Sequence, residues 1–225
     1  MNKRIPLLLL FYTLALGVAA QNLVVKEWNA SAHNKPLIFY ISGDGGLNKF
    51  SNELCSSINK EGFDVTALDS KSYFWSKKTP EQTSQDISDF LSKKIIDRPN
   101  QQIVLIGYSF GADVLPFVLH RLPKNIADKV KVSFLMASSG STDFVIHILD
   151  LFGSGKRRDM DVLSEVNKVS NHKIVILNSI DDEGLNPGKV TTKNHVTEIL
   201  PGGHHFDGDI DEITKVILKY IKVEG

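Results

Sequence analysis

Three short stretches of the chain are apolar without a break: Leu37-Ile38-Phe39-Tyr40-Ile41, Ile103-Val104-Leu105-Ile106 and Ile174-Val175-Ile176-Leu177. A strand with one face in water alternates apolar and polar side chains, because successive residues point to opposite faces. An unbroken run is a strand covered on both faces, and helices on either side of a parallel sheet provide that cover. Phe63 to Leu68, Val130 to Met136 and Val196 to Leu200 are further strand candidates. Helical patterns lie between them. The clearest opens at Thr79-Pro80-Glu81-Gln82, where Thr79 caps, Pro80 suits the first helical position and Gln82 completes a capping box. Ile87, Phe90, Leu91 and Ile95 then share one face. Phe50 to Asn59, and the spacing of Ile213, Val216, Ile217, Tyr220 and Ile221, predict two more helices. Strand and helix in alternation predict an α/β fold, a mainly parallel central sheet flanked by helices on both faces. In such sheets functional groups gather at the carboxyl ends of the strands.

The N-terminus carries a different signal. Met1-Asn2-Lys3-Arg4 precedes an apolar run from Ile5 to Val18 and then Ala19-Ala20, the layout of a secretory signal peptide cleaved after Ala20. The apolar run is shorter than the ~20 residues a membrane span needs. Residues 1–20 are thus expected to be a signal peptide and residues 21–225 one domain acting outside the cytoplasm. Of 225 residues, 42% are hydrophobic, enough for one substantial core. Lys3 and Arg4 leave with the signal, so of 26 basic residues 24 remain against 26 acidic ones, a net charge of −2. Such a balance gives no electrostatic footprint for nucleic acid. The single cysteine, Cys55, has no internal disulfide partner, and its spacing with Phe50, Leu54 and Ile58 makes it a buried small hydrophobe.

Gly107-Tyr108-Ser109-Phe110-Gly111 follows the strand Ile103 to Ile106 directly and precedes a helical segment from Ala112 to Leu122. Gly-x-Ser-x-Gly alone is a weak signal. Between a strand and a helix it is the context of a nucleophile elbow, a sharp turn that lifts the serine hydroxyl above the sheet edge and is characteristic of α/β-hydrolases. A serine hydroxyl needs an imidazole to take its proton and a carboxylate to orient that imidazole, in the chain order Ser, acid, His. The strand ending at Leu177 runs into Asn178-Ser179-Ile180-Asp181-Asp182-Glu183; Asp181 is the first choice of acid, Asp182 the second and Glu183 a third. The strand ending at Leu200 runs into Pro201-Gly202-Gly203-His204-His205-Phe206. Pro-Gly-Gly-His with an aromatic two positions on resembles the histidine turn of thioesterases and selects His204; a turn longer by one residue selects His205.

An oxyanion hole needs two backbone N–H groups, one from the residue after the nucleophile, here Phe110, and one from a loop after an early strand. Ser42-Gly43-Asp44-Gly45-Gly46 fits the second role, with Asp44 or Gly45 supplying the N–H. The Asp44 carboxylate is expected either to meet a positively charged substrate group or to cap the next helix. Other chemistries fit less well. Gly43-Asp44-Gly45 lacks the third glycine of a dinucleotide fingerprint, where Asn48 stands, and no phosphate-loop lysine follows, so no cofactor is expected. His204, His205, Asp207, Asp209 and Asp211 fail as a calcium loop, since Glu212 and Leu218 occupy the key glycine and glutamate positions. That leaves a metal there only as a subsidiary reading. Tyr73-Phe74-Trp75 is a candidate lining for an acyl or lipid pocket, and Gly155-Lys156-Arg157-Arg158 lies where a lid is expected, between Ser138 and Met160.

With these motifs in place the chain resembles the VirJ/AcvB family of bacterial virulence proteins. The resemblance rests on Ser42 to Gly46, Asp69-Ser70 with Tyr73 to Trp75, Thr79-Pro80-Glu81, the long run Gly107 to Phe117 and Pro201 to Asp209. It implies a periplasmic α/β-hydrolase that cleaves aminoacylated phosphatidylglycerol, notably the lysyl ester, at a membrane surface. It also implies a link to type IV secretion and its proteins. Asp44 and Asp113 would then face the lysine ammonium, with Tyr73 and Trp75 toward the lipid. A binding or assembly factor that keeps the fold without chemistry is the rival expectation, and fold alone does not choose between them.

Overall fold

The computed structural model describes residues 23–147, 157–170, 172–182 and 184–221. The expected signal peptide, Gly155-Lys156 and Glu183 lie outside them. In chain order the elements are β1 (Val25–Trp28), β2 (Leu37–Ile41), α1 (Lys49–Lys60), β3 (Val65–Leu68), α2 (Ser70–Tyr73), α3 (Pro80–Lys94), β4 (Ile103–Tyr108), α4 (Phe110–Leu119), α5 (Lys124–Ala127) and β5 (Val130–Met136). They continue with β6 (Ser141–Thr142), β7 (Met160–Asp161), α6 (Val162–Val166), β8 (Lys173–Ser179), β9 (His195–Leu200) and α7 (Ile210–Ile221).

Seven strands form one sheet in the order β1-β3-β2-β4-β5-β8-β9. All neighbours are parallel except β1, which pairs antiparallel with β3 at one edge. The unbroken apolar runs are its central strands, and each feeds two cores. Leu37, Phe39 and Ile41 of β2 point to a core shared with Ile87 and Leu91 of α3, Val114 and Val118 of α4 and Val166 of α6. Ile38 and Tyr40 point the other way, to a core shared with Leu54 and Ile58 of α1 and Ile213 and Ile217 of α7. The fold class expected from the sequence is the one observed. Cys55 is fully buried in the second core, and burial holds its thiol well above the usual range. The capping box at Thr79 and Gln82 forms as read.

The strand order reverses between β2 and β4: β3 lies on one side of β2 and β4 on the other. Such a switch point opens a crevice at the carboxyl ends of the two strands. Ile41 is in register with Gly107, so the loop after β2 and the turn after β4 are forced side by side. Helix α4 is pressed onto this point. A Cβ at Gly111 would lie 2.1 Å from the Ile41 carbonyl oxygen, and one at Gly107 would lie 2.4 Å from the Gly111 carbonyl oxygen. Both distances are impossible for a side chain, so only glycine lets the helix start this close to the sheet. Gly111→Ala is expected to destabilise the fold by about 3 kcal/mol, the upper end of the usual overpacking cost. A fall in the urea midpoint with an unchanged slope would show this; an unaltered midpoint would mean that the close approach is not needed.

Candidate active site

Ser109 sits between β4 and α4 with φ 53° and ψ −121°. A positive φ is strained for a residue with a side chain, costing on the order of 1–3 kcal/mol, and such strain gathers at functional sites. The backbone around it is firmly held: Ser109 N–H donates to the Met136 carbonyl at 2.8 Å, and the Ser109 carbonyl accepts from Ala112 and Asp113. Phe110 is the first residue of α4, and first-turn N–H groups have no acceptor one turn back.

Two further loops converge on the serine. Strands β8 and β9 stay paired beyond their ends, with Ile180 N–H donating to Leu200 and Asp181 N–H donating to Gly202. This pairing spends Asp181 on the backbone ladder and sets the next residue, Asp182, opposite the histidine turn. Asp182 Oδ2 lies 2.6 Å from His204 Nδ1, and His204 Nε2 lies 2.8 Å from Ser109 Oγ. An ionised carboxylate only accepts, so Nδ1 carries the proton and Nε2 is left to accept from the serine hydroxyl. Asp182, His204 and Ser109 thus form one hydrogen-bonded chain at the carboxyl edge of the sheet. Gly202, at φ +90°, makes the turn possible: a Cβ there would meet Asp207 at 2.5 Å.

Asp181 and His205 are not part of this chain. His205 Nδ1 lies 3.2 Å from the Tyr108 hydroxyl, and its ring packs on Phe50 and Tyr108. Burial, and then the neighbouring His204, hold its imidazole below the ordinary histidine range. Tyr108 also donates to the His204 carbonyl at 3.2 Å, so the residue just before the serine braces the histidine turn. Sequence reading missed this role because the second position of Gly-x-Ser-x-Gly has no fixed chemistry.

The Gly43–Gly46 loop is a tight turn closed by Gly46 N–H donating to the Gly43 carbonyl at 3.0 Å. A Cβ at Gly43 would lie 3.3 Å from Ser109 Cβ, so the loop passes directly over the serine. Asp44 lines the adjoining cleft, and its charge is felt at Tyr108 and His205. The expected helix cap at this loop falls to Asn48, which accepts from Ser51 N–H. The cleft, of about 530 Å³, runs from Asp44, Ser109 and Phe110 along a wall made by the excursion between β5 and β8. In that wall β6 and β7 pair antiparallel and Ile146, Arg157 and Arg158 face the cleft, joined by Leu185 from the loop after β8.

Three expected ligand-binding residues take other positions. Asp113 borders the cleft but is only 3% exposed, and its carboxylate accepts from Ser138 Oγ (2.6 Å), Ser139 Oγ (2.5 Å) and Gly140 N–H (3.1 Å). Its oxygens are committed to the loop after β5 rather than aimed at a ligand. Tyr73 is buried, with its hydroxyl donating to Asp86 at 2.6 Å, and Trp75 is 60% exposed; neither lines the cleft. Phe74, the middle aromatic, packs edge-on beneath Phe110 at 5.0 Å. The acidic and histidine residues from His204 to Asp211 do not gather around one point, because His204 turns to Ser109 and His205 to Tyr108.

These elements define the α/β-hydrolase fold, and solved structures agree. Est1E from Butyrivibrio proteoclasticus matches with a TM-score of 0.59 at 13% identity, covering 87% of this chain and 92% of that one. Naproxen esterase from Bacillus subtilis matches with a TM-score of 0.59 at 10% identity, covering 88% and 87%. MenH from S. aureus matches with a TM-score of 0.60 at 12% identity, covering 87% and 97%. No curated protein matches the chain by sequence. The chain belongs to the family described as bacterial virulence protein (VirJ), whose model matches residues 36–224.

The buried Asp113 gives a pH signature. Burial raises its carboxyl to about 6, although the two serine hydroxyls and Gly140 N–H pull the other way. Its proton is held more tightly in the folded state than in the unfolded one, where an aspartate titrates near 4. This group's favourable contribution is therefore complete below about pH 4 and is lost as pH rises through about 6. Asp113→Asn, which keeps an acceptor for Ser138, is expected to remove that loss, worth roughly 3 kcal/mol at neutral pH. Thermal midpoints of both proteins from pH 4 to 8 check it: the difference should grow with pH and level off above about 6.5. A constant difference would overturn it.

Proposed function

We propose that the protein is a periplasmic serine esterase whose substrate is an aminoacylated phospholipid, lysyl-phosphatidylglycerol or a close relative. The observation that carries the catalytic part is the unbroken chain from Asp182 through His204 to Ser109, in the order and tautomer that a serine nucleophile needs. Membership of the VirJ family supports the lipid part through the activity that the resemblance implies.

In this reading Ser109 Oγ attacks the ester carbonyl carbon as its proton passes to His204 Nε2. Asp182 steadies the imidazolium without taking the proton. The oxyanion is met by the N–H of Phe110 and that of Asp44 or Gly45. The C–O bond to the glycerol oxygen then breaks, His204 returns the proton to that oxygen, and the aminoacyl group remains on Ser109. Water, deprotonated by the same imidazole, releases the amino acid and restores the serine. Asp44, which lines the cleft together with Ser109, is an anion that the ammonium of the acyl group can meet. The link to type IV secretion belongs to this reading only as the setting of a periplasmic family member.

A fluorophosphonate probe is expected to label the wild type and not Ser109→Ala. An unlabelled wild type, or equal labelling of the variant, would favour the non-catalytic assembly role. With a soluble ester, Asp182→Asn is expected to lower kcat by about 10³–10⁴-fold, because the imidazole loses its tautomer, and Asp181→Asn by less than about threefold. The reverse pattern would reassign the acid. Thin-layer analysis of purified lysyl-phosphatidylglycerol incubated with the protein tests the substrate: intact lipid alongside a cleaved soluble ester would remove the lipid and keep the esterase.

A further inference from the structure

An ester buried in a membrane headgroup layer reaches a cleft only if the cleft mouth meets the bilayer, and one segment tied to the cleft wall has the chemistry to do so. Trp75 is 60% exposed, unusual for so large an apolar side chain, and stands at the carboxyl edge of the sheet, where Ser109 also lies. The segment after α2 is tied to the cleft from two sides. Lys78 N–H donates to the Phe144 carbonyl at 2.9 Å and Ile146 N–H donates to the Phe74 carbonyl at 3.0 Å, so exposed Trp75 and Lys77 lie in a segment bonded to the stretch that carries Ile146 of the cleft wall. At the other end, a Cβ on Gly46 would lie 3.0 Å from Lys71 Cβ, which sets Lys71 against the loop over the serine. From Ser70 to Thr79 the chain carries Lys71, Lys77 and Lys78 and no acid. Lys71 and Lys77 are exposed, while Lys78 lies half-buried over the Tyr73 ring.

We infer that Trp75, flanked by Lys71 and Lys77, is a docking surface for an anionic phospholipid bilayer, seating the mouth of the Ser109 cleft on the headgroup layer. An indole lodges at a membrane interface because it is apolar in body with one polar N–H, and each nearby lysine adds attraction to anionic lipid. The rigid backing matters: the two hydrogen bonds to Phe144 and Ile146 mean that what holds Trp75 in the bilayer also fixes the height of the cleft wall above it. The docking rests on the proposed lipid substrate for its purpose but not for its test.

The chain has two tryptophans, Trp28 and Trp75, so Trp28→Phe leaves Trp75 as the sole indole reporter. With vesicles containing phosphatidylglycerol, its emission is expected to shift to the blue and to be quenched by brominated acyl chains. Emission unmoved by vesicles, or a shift equally strong on pure phosphatidylcholine, would overturn the proposal. Independently, the double variant Lys71→Glu/Lys77→Glu should sediment with phosphatidylglycerol vesicles at least roughly tenfold more weakly than wild type while cleaving a soluble ester at the wild-type rate. Unchanged sedimentation would overturn docking through this face. Vesicle binding without any esterase activity would sink the catalytic reading and leave the docking surface standing; cleavage of the lipid in detergent without vesicle binding would do the opposite.

Discussion

The backbone of α4 touches the backbone of β2, and most of the site depends on that contact. With no side chain on Gly111, the helix begins against the Ile41 and Ser42 carbonyls, which leaves Ser109 a single position, a strained φ at the tip of β4. The same approach brings the Gly43–Gly46 loop over the serine, since Ile41 ends in register with Gly107. Ser109 and the loop over it are thereby positioned by main chain alone, which leaves them little conformational freedom to lose. The strain is offset by the two apolar cores that clamp β2 and β4 from both faces.

The second requirement is register. Asp182 reaches His204 because β8 and β9 continue their pairing past the strand ends as far as Asp181 and Gly202. One residue more or less in that extension would present the neighbouring acid, and side-chain direction alternates along an extended chain. Nothing in Asp181-Asp182-Glu183 distinguishes three adjacent carboxylates by type. The preference for Asp181 from sequence and the observed partner Asp182 differ by this one step, which depends on where the ladder stops. His204, favoured over His205 on the likeness of Pro-Gly-Gly-His and its aromatic to a thioesterase histidine turn, is the one that meets Ser109.

Legibility elsewhere follows how locally each feature is encoded. Unbroken apolar runs announce strands covered on both faces, and the capping box at Thr79 and Gln82 announces a helix start, since both are properties of a few adjacent residues. Strand β1 went unread because Val25–Trp28 is short, half-exposed and defined by its antiparallel partner β3 rather than by its own pattern. The aromatic trio was read as one patch, yet its members separate: Tyr73 and Phe74 are drawn into the core, and Trp75 is left outside by the backbone pairing with Phe144 and Ile146. Asp113 was expected at the ligand only because the family resemblance implies a cationic substrate. Only the fold reveals that Ser138, Ser139 and Gly140 reach it first.

That reassignment changes the electrostatics of the proposed chemistry. With Asp113 committed to the loop after β5, Asp143 paired with His147 and Asp161 with Arg157, Asp44 is left in the cleft as a carboxylate that can meet a substrate. An anion next to a developing oxyanion opposes it, by roughly 2–4 kcal/mol for unit charges 4–8 Å apart at an effective dielectric of about 20. A neutral acyl group leaves that repulsion in place through the transition state. An acyl group with its own ammonium answers the Asp44 charge before attack begins, so the carboxylate that penalises ordinary esters becomes a means of choosing cationic ones. Under the proposed reading, selectivity therefore arises within the loop that also serves the oxyanion, and a loop built only to stabilise charge would have no use for an aspartate at that position.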